Sequence, residues 1–180
     1  MYETKRLILR NWLDSDLNKL YKINQDPIVM EFFPHLYSMD KTLEQIKSFK
    51  EHYQKHGHTF FACELKDTQE FIGSVGLFTI DNNLPFAPNI EIGWRTAKEY
   101  WNKGYATEAA NECLKIGFEE FNLQEIVSYT AKINHRSEHI MQKIGMFRDM
   151  NGDFDNPKIE PTHILCPHIL YRITKKDWVG

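Results

Sequence analysis

Cysteine is scarce in this chain: there are three, Cys63, Cys113 and Cys166, widely spaced, with no C-x-x-C pair and no even count. That pattern excludes a disulfide framework, and with no secretory leader at the N-terminus a cytoplasmic location is expected. Long apolar runs are missing as well. Even Thr59-Phe-Phe-Ala-Cys63 gives way to Glu64 and Lys66, far short of the ~18 residues that a membrane span requires. Net charge is only −3, which provides no global positive field for a polyanion, so neither nucleic acid nor a membrane is an expected partner. Neither G-x-G-x-x-G nor G-x-x-x-x-G-K-[ST] occurs, which weighs against ATP and NAD. Internal repeats, low-complexity tracts and linkers are absent too.

What is present suits one ordinary domain spanning 1–180, since 180 residues with 42% hydrophobic side chains can bury a core. Arg6–Arg10 reads as a strand. Asp14-Ser-Asp16 precedes Leu17, Leu20, Tyr21 and Ile23 at helical spacing, and Asp26-Pro27 ends that helix. Val29–Phe33 is an apolar connection with a short helical turn. Ser38 or Asp40 caps a second helix carried by Leu43, Ile46, Phe49 and Tyr53 and ended near Gly57. Thr59–Leu65 and Glu70–Ile80 form an antiparallel hairpin, Asp81–Pro85 a turn and Asn89–Arg95 a strand. A long helix begins near Tyr105, with Ala109, Cys113, Ile116, Gly117 and Phe121 on its apolar stripe. Glu125–Thr130 is a strand, Arg136–Ile144 a helix closed by Gly145, Met146–Met150 a strand, Asn151–Thr162 a loop and His168–Thr174 the last strand. The order implies an α+β or mixed α/β sandwich with helices covering a largely antiparallel sheet.

One stretch organises the rest, Glu91 to Ala110. It reads as a strand, a turn on Asn102, Lys103 and Gly104, and the start of a helix. A backbone that leaves a strand through glycine and enters a helix turns its first free amides outward, where the helix dipole also favours negative charge. A phosphate suits that place.

Asn102-Lys-Gly-Tyr-Ala-Thr-Glu-Ala109 after Ile90-Glu-Ile-Gly-Trp94, followed by Asn134-His-Arg-Ser137 and Lys143-Ile-Gly-Met-Phe147, resembles the GNAT superfamily of acetyl-CoA-dependent N-acetyltransferases. Thr4-Lys-Arg-Leu-Ile-Leu-Arg10 and Asp26-Pro-Ile-Val-Met30 extend the resemblance to the Rim-type group, which acetylates ribosomal-protein N-termini. It implies a GNAT fold: a largely antiparallel sheet of about 6–7 strands, splayed after the fourth, flanked by about 4 helices. It also implies acetyl-CoA as cosubstrate, a primary amine as acceptor and no metal, in a monomer or homodimer.

By the same resemblance, the backbone of Asn102, Lys103, Gly104, Tyr105, Ala106 and Thr107 would hold the CoA pyrophosphate, and that of Ile92, Gly93 and Trp94 would pair with the pantetheine arm. Trp101 stands where the family motif has Gln or Arg, so a side-chain contact is expected to be lost there. Glu91 matches a general-base position, although an outward strand carboxylate is the plainer reading. Asn134 would contact the cofactor and Ser137 protonate the CoA sulfur, while both also suit the first turn of a helix. Tyr129 and Tyr171 remain alternative acids. Phe32, Phe33, His35 and Tyr37, with Trp12, would line the acceptor pocket or plug the space under the sheet. The pairs His52/His56 and His135/His139 share metal-ligand spacing but lack a third ligand. Two other classes stay open: an inactive CoA-binding module, and a regulatory protein whose glycine turn holds another phosphate or nucleotide.

Overall fold

The computed structural model describes residues 1–80 and 83–180, so Asp81 and Asn82 of the expected 81–85 turn lie outside the described residues. In chain order the elements are β1 (Tyr2–Glu3), β2 (Leu7–Arg10), α1 (Leu17–Asn24), α2 (Met39–His56), β3 (Phe60–Leu65), β4 (Phe71–Ile80), β5 (Asn89–Thr96), α3 (Tyr105–Lys115), β6 (Glu125–Ala131), α4 (His135–Lys143), β7 (Phe147–Arg148), β8 (Phe154–Asp155) and β9 (Pro167–Thr174). They form an open sheet in the order β1-β2-β3-β4-β5-β6-β9-β7, with β8 also on β9. The α+β expectation is met with nine strands among the described residues rather than six or seven. The surplus comes from β1 and β8, two residues each, which are too short to show an alternation and exist because a longer neighbour pairs with them. For the same reason the strand expected over Met146–Met150 shrinks to Phe147–Arg148.

Side-chain alternation along the strands builds two apolar layers. Phe61, Cys63 and Leu65 of β3 join Leu7, Leu77 and Ile92 against Cys113, Leu114 and Met141 of α3 and α4. Ala62 faces the other way, toward Leu20 and Ile23 of α1 and Ile46 and Phe49 of α2. Ser38 caps α2 by accepting from the Lys41 amide (3.1 Å), and Gly57 ends it in the left-handed conformation (φ 78°). Leu43, expected on the buried stripe, is exposed; Thr42 takes the inward position one residue earlier. Asp16 does not cap α1 with its side chain. It is fully buried, accepts from the Leu13 amide (2.9 Å) and pairs with Arg10 (2.7 Å), which also reaches Glu64 (2.8 Å). After α3 the chain widens into a π-helical turn, Ile116–Glu120, which buries Phe118 and leaves Phe121 only partly covered.

His52 is a core residue. Its Nδ1 bonds the His58 carbonyl (2.7 Å), its Nε2 accepts from the Thr79 amide (2.9 Å), and burial pulls its pKa down to about 4. Both ring nitrogens are thereby used, and no group of three or more His, Cys, Asp or Glu positioned for a metal occurs among the described residues. Among the described residues, no helix is long and apolar enough to cross a membrane.

Gly76 marks the tightest strand contact. A Cβ there would stand 1.9 Å from the Thr59 carbonyl oxygen and 2.6 Å from the Phe60 Cα, both backbone atoms with nowhere to go. Gly76→Ala is expected to lower the urea midpoint, by about 1–3 kcal/mol or more of stability. A midpoint within error of wild type would contradict the packing described.

Candidate active site

The site begins where two parallel strands part. β5 and β6 pair at a single position, Glu91 opposite Val127, and the Ser128 hydroxyl donates to the Ile92 carbonyl (2.9 Å) just beyond it. No further β5–β6 pair forms among the described residues. Because backbone polar groups alternate sides along a strand, Trp94 turns its N–H and C=O toward the same gap as Ile92, whereas Gly93 turns its own toward β4. The gap opens into a cavity of about 660 Å³.

At one end of this cavity lies the turn from β5 into α3. Asn102 (φ 60°) and Gly104 (φ 80°) are both left-handed, and the first α3 amide to bond back is that of Glu108, to the Gly104 carbonyl (3.0 Å). The amides of residues 102–107 have no acceptor among the described residues, so the helix start presents unpaired donors to the cavity. Asn102, Gly104, Tyr105, Ala106 and Thr107 line it; the Lys103 side chain does not, lying 5.5 Å over the Tyr100 ring. Arg6 secures the turn from outside by donating to the Lys103 carbonyl (3.0 Å) and pairing with Glu108 (2.6 Å), whose charge would otherwise oppose an anion. Trp101 is not idle: its indole N–H donates to the Thr96 carbonyl (2.9 Å), and the Arg136 guanidinium stacks on its ring at 4.7 Å.

Glu91 sits at the parting point, only partly exposed, and its side chain lines the cavity. Burial pushes its pKa up to about 7, with a hydrogen bond from Tyr129 pulling part of the way back. A carboxyl group that titrates near neutrality can exchange protons with an amine at the working pH.

Across the gap, Asn134 caps α4. Its Oδ1 accepts from the Ser137 amide (3.2 Å), and its Nδ2 donates to the hydroxyls of Thr130 (2.8 Å) and Ser137 (3.0 Å). Ser137 Oγ is thus an acceptor toward Asn134, and its own proton is left to point elsewhere. The Tyr171 hydroxyl is occupied by Glu138 (2.9 Å) and Gln142 (3.2 Å) and does not line the cavity. The cysteines offer no nucleophile: all three are buried, and burial pushes the Cys63 thiol up to about 12 and raises Cys113 as well.

A family model described as an acetyltransferase (GNAT) domain matches residues 6–147. The chain belongs to the GNAT acetyltransferase family. It is 33% identical over 175 residues, 97% of each chain, to YnaD, an uncharacterised N-acetyltransferase of Bacillus subtilis. An acetyltransferase of the GNAT family from Bacillus anthracis superposes with a TM-score of 0.79 at 27% identity, covering 97% of this chain and 98% of that one. The fold is shared with a spermidine N-acetyltransferase from Vibrio cholerae in complex with CoA and spermine (TM-score 0.75, 22% identity, 97% and 98% coverage). The protein is therefore an acetyl-CoA-dependent N-acetyltransferase, and the unpaired amides of its turn fit a ligand that carries a pyrophosphate.

At the far end of this GNAT cavity, Phe32, Phe33 and Tyr37 line the wall. His35 is exposed and outside it, and Trp12 belongs to the core, its indole donating to the Phe60 carbonyl (2.7 Å). Sequence reasoning missed Arg95, which shares the Glu91 and Gly93 face of β5; the period-two spacing was the available signal. It also missed Arg6 and Arg136, whose contacts span about a hundred residues and leave no local pattern.

The raised Glu91 pKa fixes the sign of a stability effect. Between pH 4.5, its ordinary value, and about 7 the folded protein keeps a proton that the unfolded chain has released, so stability falls as pH rises through that window. Glu91→Gln cannot ionise, so its stability relative to wild type should improve between pH 4.5 and 7 and then level off. An equal difference at pH 5 and pH 8 in denaturant titrations would show that Glu91 titrates normally.

Proposed function

We propose that this acetyltransferase moves the acetyl group directly from acetyl-CoA to a primary amine, a protein N-terminus or a small molecule, without a covalent enzyme intermediate. The observation that carries the reading is the pairing of Glu91, held near neutrality at the parting of β5 and β6, with a Ser137 hydroxyl oriented by Asn134 across the same cavity. Bound at the turn, acetyl-CoA supplies an activated thioester. Backbone amides of Asn102–Thr107 would hold its pyrophosphate, and the open edge at Ile92 and Trp94 would pair with the amides of its pantetheine arm.

The acceptor arrives as an ammonium ion. Glu91 removes one proton, directly or through a water, to free the nitrogen lone pair. Nitrogen then bonds to the thioester carbon, and a backbone N–H of the splayed strand stabilises the oxyanion. The C–S bond breaks, Ser137 protonates the departing sulfur, and the second nitrogen proton restores the serine. The net products are the acetamide, CoA thiol and one proton. Deeply buried, thiol-raised cysteines support the absence of an acetyl-enzyme. The turn is formed despite Trp101, because backbone supplies its donors and the indole braces it, which favours an intact cofactor site. The motifs at residues 4–10 and 26–30 favour the Rim-type group, and a cytoplasmic monomer or homodimer is the expected setting.

For wild type, kcat/KM should rise with pH through an apparent pKa near 7. Glu91→Gln should lower it by roughly 10²-fold or more and abolish that rise; an unchanged pH profile would remove Glu91 from the base role. Ser137→Ala should slow turnover by roughly 10-fold or more with little change in acetyl-CoA affinity. A wild-type rate would leave Ser137 as a helix-cap residue, and accumulation of acetylated enzyme in the absence of amine would overturn direct transfer.

A further inference from the structure

Taken as a whole, the charged side chains lining the cavity are mostly cationic. Among the described residues lining it, Glu91 is the one Asp or Glu, against Arg95, Arg136 and Lys143. Arg136 already has Glu31 as an ion-pair partner. Arg95 has none: no carboxylate lies within 4.0 Å of it among the described residues, and its Nε is buried without an acceptor. Its guanidinium is nonetheless firmly placed. Nη1 donates to Asn24 Oδ1 (2.6 Å), and the Asn24 amide in turn donates to Thr42 (3.1 Å) and Gln45 (3.2 Å). Phe33 and Tyr37 stack on the planar group at 4.1 and 5.1 Å.

A half-buried guanidinium without a counter-ion is costly, and its planar fork matches a carboxylate in two-point contact. Such an arrangement makes sense when the missing anion is brought by the substrate. Glu91, Gly93 and Arg95 occupy one face of β5 at successive i, i+2 positions, so Glu91 and Arg95 stand roughly 13 Å apart along the strand. Gly93 adds no side chain between them, and the Phe60 ring closes over that stretch, 3.0 Å from where a Gly93 Cβ would stand. We propose that the acceptor is an aminocarboxylate long enough to reach between them, an ω-amino acid or one with a long side chain, whose amine lies toward Glu91 while its carboxylate is held by Arg95. A polyamine would meet a cation where it needs an acid wall.

This rests on the acetyl-transfer reading above, and the test separates the two. CoA-thiol release is measured with amino acids and 4-aminobutyrate, their carboxyl-amidated or decarboxylated counterparts, spermidine, and peptide N-termini with amidated C-termini. At least one aminocarboxylate should exceed its carboxylate-free counterpart by roughly 10- to 100-fold in kcat/KM, the size expected of a charge-assisted two-point contact. In Arg95→Gln that ratio should collapse toward one, through KM for the acceptor, with KM for acetyl-CoA unchanged; Arg95→Lys should keep part of it. Preference for spermidine, a peptide or a carboxylate-free amine overturns the proposal while leaving acetyl transfer intact, and so does a ratio that survives in Arg95→Gln. Failure of every amine to release thiol overturns both. Should Arg95→Gln not fold, the wild-type ratio and Arg95→Lys decide.

Discussion

Two parallel strands that begin to pair and then separate underlie everything the molecule does. Had β5 and β6 continued in register beyond Glu91 and Val127, their backbone groups would have satisfied one another and closed the sheet. Separation leaves the Trp94 N–H and C=O unpaired by β6 and opens a cleft through the sheet. The strand on each side then runs into a helix, β5 into α3 through the Asn102–Gly104 turn and β6 into α4 through Asn134. Two helix N-termini therefore face one gap, each with donors that its own helix cannot use.

The proposed chemistry follows from where each group sits in that gap. Glu91 lies at the crotch, where desolvation moves a carboxyl group toward neutral pH, and Tyr129 from the neighbouring strand limits the shift. Ser137 lines the same cavity, its hydroxyl accepting from an asparagine that also serves as the α4 cap, so a residue whose presence helix propensity already explains also holds a hydroxyl in place. Because each also has a plain structural reading, a local reading left Glu91 and Asn134 open between a structural and a chemical function.

The supports of the site are long-range. Arg6 ties the first strand region to the turn and to Glu108, and Arg136 links α4 to Trp101 and to Glu31 beside the aromatic segment. Trp101, which departs from the familiar motif, proves to be one of these braces. Arg95 belongs with them in position but not in satisfaction, since Asn24 takes one of its donors and no acid among the described residues takes its charge.

Most elements were legible in the sequence because their signals are local. Ser38 and Gly57 bound α2, Gly104 opens α3, and the Phe-, Val- and Ile-rich runs of β3 and β4 flank a polar turn that needs no partner to be seen. Leu43 shows the limit: helical spacing alone placed it inward, yet the packing against the sheet chose Thr42. Backbone donors around Gly104 were likewise foreseeable, because they depend on a turn and a helix start. Which residues share the cavity was not. His35 left it, Arg95 entered it, and Trp12 withdrew to the core, since these placements depend on how α1 and its following segment settle over β5. Sequence by itself determined the elements and the anion-ready turn, which obey near-neighbour sterics and hydrogen bonding. Tertiary structure alone decided the parting of β5 from β6, the neutral-range titration of Glu91 and the unpaired charge of Arg95, because burial and charge pairing depend on residues brought together from distant parts of the chain.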